Sequence, residues 1–191
     1  MPRRPSDPPS GFGRRGEEEV FAGWLFSVAR AGFVDPDDRP FERFVVRHPG
    51  AVAVVAVDEE GFATLVRQLR PAVWESVLEV PAGTRDVDGE PPELTARREL
   101  AEEAGLVAER MEELASVYNS PGYCDQRTVI YLATGLAPCE TARHGEEERW
   151  MTTERVHLDD AGVMVADGRL VDQTTVLALL LAARALGREQ R

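Results

Sequence analysis

Cysteine is scarce in this sequence. The two cysteines, Cys124 and Cys139, match no spacing used for metal ligation or redox chemistry. Long apolar runs are also missing, since the longest, residues 176–186, is interrupted by Arg184 and is too short to cross a bilayer. No apolar segment follows the N-terminal arginines, so we expect no signal peptide. Together these absences predict a cytoplasmic protein with free thiols and no membrane segment.

Basic residues are outnumbered by acidic ones. Against 34 Asp and Glu there are 22 Lys and Arg, which gives a net charge of -12 at pH 7. This charge repels a phosphate backbone and therefore argues against non-specific nucleic-acid binding. It does not exclude a small anionic ligand, because local arginines and metal ions reverse the sign of the potential inside a cleft.

The chain divides into three predicted regions. Residues 1–19 are rich in Pro, Gly, Ser and charged residues and are predicted to be a disordered tail. Residues 20–50 contain two predicted strands, at 24–33 and 41–47. Residues 51–191 hold the remaining predicted elements.

The third region mixes strands and helices. Ala51–Val57 is a continuous apolar run typical of a buried strand, and the turn at 58–61 returns the chain into a strand at 62–69. A helix is expected from Pro91 and Pro92 to Gly105, because proline is tolerated at a helix start and glycine ends helices. Further strands are predicted at 77–80, 113–118, 128–136 and 151–156, and further helices from Leu158 and over 172–186. The absence of a regular βαβ alternation predicts an α+β fold or an α/β/α sandwich with a mixed sheet.

Three carboxylates, Glu99, Glu102 and Glu103, occupy relative positions 0, +3 and +4 in the expected helix. Residues at this spacing share one helix face, where like charges repel. A hard divalent cation would compensate them, because Mg²⁺ prefers carboxylate oxygens. For the cluster taken alone, a solvated acidic helix face is the alternative.

The residues around this cluster resemble the motif of the Nudix hydrolases. That motif reads Gly, five residues, Glu, seven residues, Arg-Glu, an aliphatic, any residue, Glu-Glu, any residue, Gly and an aliphatic, and the sequence from Glu90 to Leu106 matches it throughout. One departure lies upstream, where Gly83 precedes Glu90 by seven residues instead of six. The extra residue falls in the turn before the helix, so we expect the carboxylates to stay in register.

The resemblance implies the Nudix α/β/α sandwich for residues 51–191. It implies four ligands for Mg²⁺, with Mn²⁺ as an alternative ion: Glu99, Glu102, Glu103 and the backbone carbonyl of Ala82. Glu99 and Glu103 are implied to be the principal ligands, with Glu103 also part of the catalytic group. The other motif residues are implied to be structural: Gly83, Glu90, Arg98 and Gly105.

A narrower resemblance is to the ADP-ribose pyrophosphatases of this family. It rests on three segments, 47–51, 66–71 and 79–83, and on Pro121, which lies 15 residues beyond the motif. It implies that Arg70 meets the diphosphate, that Arg47 meets the ribose end or a phosphate, and that Pro121 lies at the substrate. The alternatives are surface ion pairs for the arginines and an ordinary turn at Ser-Pro-Gly. The resembling enzymes pair through an N-terminal antiparallel sheet, so residues 20–50 are implied to form such a sheet in a homodimer.

A polar segment holds three consecutive glutamates, Glu146, Glu147 and Glu148. In the resembling enzymes a glutamate of this loop positions or deprotonates the attacking water. Spacing does not decide among the three, and we favour Glu147, then Glu148, over a solvated acidic loop. Trp24 and Trp74 are predicted either to stack on an adenine or to pack in the core or a dimer contact.

The resemblance therefore implies Mg²⁺-dependent hydrolysis of ADP-ribose to AMP and ribose 5-phosphate, by metal-activated water with a loop glutamate as base. Two alternatives are hydrolysis of other nucleoside diphosphate sugars and a catalytically silent nucleotide-sugar sensor. The sequence disfavours the sensor, because every carboxylate of the motif is present.

Overall fold

The computed structural model describes residues 11–142, 146 and 148–188. They form two compact units. The first unit holds the residues up to Gly50 together with Ser116–Thr128, and the second holds Ala51–Ala115 and the residues from Val129 onward. Among the helices of the described residues, none has both the length and the apolar character needed to cross a membrane.

The first unit is built on a three-stranded antiparallel sheet of β1 (Gly13–Ala22), β2 (Ser27–Val34) and β3 (Pro40–Arg47), in that order. The segment 116–128 joins it through a parallel bridge between Val46 and Cys124. The predicted N-terminal antiparallel sheet is thereby confirmed.

Two predicted boundaries in the first unit differ from the structure. The prediction that disorder extends through residue 19 is wrong for the residues of β1, which starts at Gly13. Cross-strand contacts explain this, because Glu18 pairs with Arg30 of β2 and the strand is hydrogen-bonded along β2. The strand predicted at 24–33 begins only at Ser27, since the Gly23 N–H donates to the Phe26 carbonyl in a turn. Residues 1–10 lie outside the described residues.

The second unit contains most of a seven-stranded sheet. Its strands are β4 (Ala51–Val57), β5 (Phe62–Arg70), β6 (Glu75–Glu79), β7 (Ala82–Thr84), β8 (Leu106–Tyr118), β9 (Arg127–Pro138) and β10 (Thr152–His157). The central order is β10-β5-β4-β9-β8, with β6 paired to β5 and β7 to β4. The strand predicted at 113–118 is longer than expected, because β8 starts directly after the helix-ending Gly105.

Helices cover this sheet. They are α1 (Pro92–Ala104), α2 (Ala161–Ala166) and α3 (Gln173–Ala185). Ala96 and Leu100 of α1 pack in one buried cluster with alternate residues of β4 and with residues of β9. Helix α3 also packs on β4, and none of its residues belongs to that cluster, so it lies on the other face. This arrangement confirms the predicted Nudix-like fold with helices and a mixed sheet.

Candidate active site

Helix α1 presents its carboxylates next to the core. It begins after Pro91 and ends at Gly105, whose left-handed conformation at φ 66° suits glycine. Because Ala96 and Leu100 anchor one face, the adjacent positions Glu99 and Glu103 are carried into buried surroundings. Two buried carboxylates one helical turn apart need compensation by positive charge or by protons.

Glu103 is the more buried of the two, with 4% of its surface exposed. It accepts a hydrogen bond from the Ala82 N–H at 2.9 Å, which ties α1 to the start of β7. Burial raises the pKa of Glu103 to about 8; the Ala82 hydrogen bond opposes this shift, and the charges of Glu99 and Glu148 add to it. The site therefore favours an uncharged Glu103 unless a cation is present.

Glu99 lies against Gly83. A Cβ placed on Gly83 would stand 2.0 Å from the carboxyl carbon of Glu99, so only glycine permits this approach. Burial raises the pKa of Glu99 to about 7, although Arg98 opposes the shift with an Nη1–Oε1 contact of 2.8 Å. The charges of Glu102 and Glu148 raise the pKa further.

Arg98 places a positively charged guanidinium beside these carboxylates. Its Nη1 lies 2.8 Å from Glu99 and 3.1 Å from Glu102, and its Nη2 lies 3.5 Å from Asp86 and 3.7 Å from Glu90. The predicted Arg98–Glu90 contact is thus one of four. The longer two are ion pairs without hydrogen-bond geometry, because the buried Nε and Nη2 atoms make no hydrogen bond within the described residues.

The donor chemistry of the site fits a divalent cation. Glu99, Glu102 and Glu103 supply hard oxygen donors, and burial, with the charges of neighbouring carboxylates, raises the pKa values of Glu99 and Glu103, so a cation would stabilise their charged forms. In the part of the chain that the structure describes, no three acidic, histidine or cysteine side chains are already arranged as a metal cluster. The carboxylates are instead turned toward Arg98 and toward the Ala82 N–H.

The acidic loop reaches the same site. Glu148 opens a short 3₁₀ turn, Glu148–Trp150, and its charge raises the pKa of both Glu99 and Glu103. Glu146 pairs with Arg149 in an exposed contact at 3.7 Å. The favoured residue, Glu147, lies outside the described residues.

Arg70, at the end of β5, belongs to the same unit. Its Nε donates to Glu79 at 2.9 Å. Burial disfavours the charged guanidinium, but the hydrogen bonds and charge of Glu79, with the charges of Glu103 and Asp172, raise the pKa of Arg70. Arg70 is therefore a charged arginine within electrostatic reach of the carboxylates on α1.

Arg47 and Pro121 lie in the first unit. Arg47 pairs with Asp125 at 2.9 Å and with Glu17, so the ion pairs named as the alternative for this arginine are present. Pro121 lies in a turn in which the Tyr123 and Cys124 N–H groups donate to the Ser120 carbonyl. Asp125 also accepts from the His48 N–H at 2.9 Å, which holds this turn region to the end of β3.

Neither predicted stacking aromatic is a core residue. Trp24 is 95% exposed in the turn between β1 and β2, and Trp74 is 79% exposed in the turn between β5 and β6. Trp74 also has φ 58°, a conformation that is costly for a bulky side chain. Core packing is thereby excluded for both residues.

Similarity to known proteins shows the family of this chain. Residues 46–172 match the model of the NUDIX domain, which covers more than half of the chain. The chain belongs to the NUDIX family. It is thus a hydrolase that acts on pyrophosphate bonds.

Curated relatives of this NUDIX protein extend over most of its length. An ADP-ribose pyrophosphatase of Bacillus subtilis is 34% identical over 85% of this chain and 88% of its own. A methanol dehydrogenase activator of Bacillus methanolicus is 36% identical over 85% of this chain and 87% of its own. A crystal structure of an ADP compounds hydrolase aligns with a TM-score of 0.79 and 24% identity, over 93% of this chain and 97% of that chain, which supports the NUDIX fold.

Two supporting pairs of residues at this NUDIX site were not predicted from the sequence. Glu79 accepts hydrogen bonds from both Arg70 and Gln68, and Thr175 with Asp172 supports the segment before β7. The available signal for Glu79 was a lone charge inside the apolar run 77–81. For Thr175 the available signal was an aspartate, a common helix N-cap, three residues earlier, but no local signal indicates its contact with the distant Val80.

Proposed function

We propose that this protein hydrolyses ADP-ribose to AMP and ribose 5-phosphate. The observation that carries the proposal is the pair of buried carboxylates, Glu99 and Glu103, whose pKa values are raised beside a third carboxylate, Glu148. Within a family of pyrophosphate hydrolases, buried carboxylates with raised pKa values are expected where a cation and a water must be held. The substrate is proposed because the Bacillus subtilis relative is named an ADP-ribose pyrophosphatase.

Four groups would hold Mg²⁺, or Mn²⁺ as the alternative: Glu99, Glu102, Glu103 and the Ala82 carbonyl. When bound, the ion supplies positive charge to the diphosphate and acidifies a water molecule. Arg98 limits repulsion among these carboxylates, and its contacts with Glu90 and Asp86 support the loop that enters α1. Gly83 and Gly105 have structural roles, the first in the approach of Glu99 and the second in ending the helix.

The remaining roles fall to other side chains. Glu147 or Glu148 accepts the proton of the attacking water, which requires a carboxylate that is charged before attack. Arg70 binds the diphosphate, because a guanidinium engages phosphate oxygens in pairs. Arg47 is proposed to contact the ribose end or a phosphate after exchanging an ion-pair partner, and Pro121 is proposed to shape the substrate loop.

Turnover of ADP-ribose tests this function. Phosphate is measured after a phosphatase acts on the products, with and without Mg²⁺, for the unmodified protein and for Glu103→Gln. We expect Mg²⁺-dependent turnover and at least about a 100-fold loss in the variant. Glu93→Gln is the matched control, because Glu93 lies on the same helix but pairs with Arg97 on its exposed side. Its turnover should equal that of the unmodified protein.

Other nucleoside diphosphate sugars form the second candidate class. This class is supported by a GDP-mannose pyrophosphatase of Yersinia pestis (strain Pestoides F), which is 31% identical over 71% of this chain and 71% of its own. A panel of nucleoside diphosphate sugars and dinucleotides is therefore assayed beside ADP-ribose. A higher kcat/KM on another member would replace the substrate and keep the reaction. Failure to turn over any diphosphate would contradict the proposed function.

The sheet of the first unit is proposed to form a homodimer. Support comes from exposed apolar side chains on this unit, including Trp24, Phe44 and Phe21. Light scattering at micromolar protein should give twice the mass of one chain, and a monomer would contradict the proposal. The free thiols of Cys124 and Cys139 support the proposed cytoplasmic location.

A further inference from the structure

Glu79 is a buried carboxylate that the proposed mechanism leaves without a role. Its side chain is 8% exposed, at the end of β6 and opposite Val66 of β5. Alternate residues of a strand share one face, so Val66, Gln68 and Arg70 lie on the same side of β5 as Glu79. A buried charge on a sheet face requires a partner.

The partners of Glu79 are both on this face. Arg70 Nε donates to Glu79 Oε1 at 2.9 Å and to Oε2 at 3.1 Å, and Arg70 Nη2 donates to Oε2. Gln68 Nε2 donates to Oε2 at 3.1 Å. The Glu79 carboxylate thus accepts hydrogen bonds from two side chains and binds one edge of the Arg70 guanidinium.

The other edge of Arg70 is open. Its side chain is 45% exposed, and its Nη1 makes no hydrogen bond among the residues that the structure describes. The charge of Glu103 acts on this guanidinium, which places it near the carboxylates of α1. An arginine held along one edge and open along the other can bind an anion without rearranging.

We propose that Glu79 is a positioning residue that orients Arg70 toward the diphosphate of the substrate. The inference rests on the proposed function, in which Arg70 binds that diphosphate. An arginine with a fixed edge gives up less side-chain entropy on binding than a free one, so affinity rises. Glu79 itself does not touch the substrate.

The test is a double-mutant cycle on KM and kcat with ADP-ribose. The four proteins are the unmodified chain, Glu79→Gln, Arg70→Ala and the double variant. We expect Glu79→Gln to raise KM about 10-fold with kcat nearly unchanged, because contacts made equally in ground and transition states appear in KM. In the Arg70→Ala background the same change should have no further effect on KM. Where the unmodified protein binds ADP-ribose without turnover, the cycle is run on Kd.

Glu154→Gln is the matched control. Glu154 pairs with Arg67, which also lies on β5 but on its opposite face. This variant should keep the KM of the unmodified protein. Glu79→Asp should recover part of the lost affinity, since it retains the charge at shorter reach. Thermal unfolding of each variant shows whether the fold is intact.

If Glu79→Gln does not fold, Arg70→Lys is used as the test variant in its place, because it keeps the positive charge beside Glu79. A lysine cannot be held at two nitrogens, so its KM should approach that of Arg70→Ala. If Arg70→Lys or Glu79→Gln has the same KM as the unmodified protein, the positioning role is overturned. Additive effects of the two substitutions on KM in the double variant would also overturn it. Absence of both binding and turnover of diphosphates by the unmodified protein would instead contradict the proposed function.

Discussion

The carboxylate of Glu103 accepts a hydrogen bond from the Ala82 N–H across 2.9 Å. This contact joins the last turn of α1 to the first residue of β7, so the helix and the strand that carry the proposed ligands are held in register. Burial nevertheless raises the pKa of this carboxylate, and the Ala82 hydrogen bond opposes that shift only in part.

The stability of the metal-free protein should therefore fall as the pH rises. The pKa of Glu103 is about 8 in the folded chain against an ordinary value of 4.5, so the folded state holds its proton more tightly than the unfolded state. Raising the pH from about 5 to about 8 removes that advantage. Thermal unfolding in EDTA should show a falling midpoint over this range, and Mg²⁺ should reduce the fall.

Glu103→Gln should flatten the same pH profile, because an amide keeps an acceptor for the Ala82 N–H and carries no charge. Near pH 8 the metal-free variant should then unfold at a higher temperature than the unmodified protein. A profile as steep as that of the unmodified chain would assign the pH dependence to another group.

Gly83→Ala should impair activity more than stability. The new Cβ would collide with the Glu99 carboxyl, which is the end of a flexible side chain and can move away. The fold then survives, while a displaced ligand is expected to cost about 100-fold in kcat/KM. Gly32→Ala is the control, since its Cβ would meet the nearest atom at 3.6 Å, an ordinary contact. Equal activity of both variants would contradict the close approach of Glu99.

Arg98→Met should destabilise the metal-free protein above neutral pH. Its guanidinium is the charge that opposes the raised pKa of Glu99, so its loss should raise that pKa further. The midpoint of thermal unfolding should drop more at about pH 8 than at about pH 5. An equal drop at both pH values would indicate lost packing instead of lost charge.

Thr175→Val should destabilise the second unit. The buried Thr175 hydroxyl accepts from the Val80 N–H at 3.0 Å and donates to Asp172 at 2.7 Å. Valine has a similar shape but leaves that buried N–H without a partner, which costs about 1–3 kcal/mol. Urea unfolding measures the loss, and Thr153→Val, at an exposed position of β10, should change stability by less than about 0.5 kcal/mol.

The sequence pattern correctly predicted those elements of the fold that depend on residues adjacent in the chain. The apolar run of β4, the turn at 58–61 and the Pro-to-Gly limits of α1 depend on neighbouring residues, and each was expected correctly. Strand β1 was missed, because its charged sequence gains order only from β2. The bridge between Val46 and Cys124, which groups 116–128 with the first unit, also joins residues far apart in the chain and has no signal in the local sequence.

The candidate site, too, was predictable only where it depends on neighbouring residues. The carboxylates of α1 follow from helical spacing, whereas the grip of Glu79 on Arg70 depends on side-chain direction across a hairpin. Such contacts are set by tertiary packing, and spacing along the sequence does not reveal them.

The proposed ligands all lie in one continuous stretch, from Ala82 to Glu103, that folds as a short strand followed by a helix. Arg70 and the proposed base, Glu147 or Glu148, come from distant parts of the chain. The proposed metal ligands thus form one local cassette, while the proposed base and the proposed diphosphate contact are supplied by other elements. A substitution at Arg70 can therefore change the affinity for a diphosphate without displacing those ligands, a route by which one chemistry diversifies across many diphosphates.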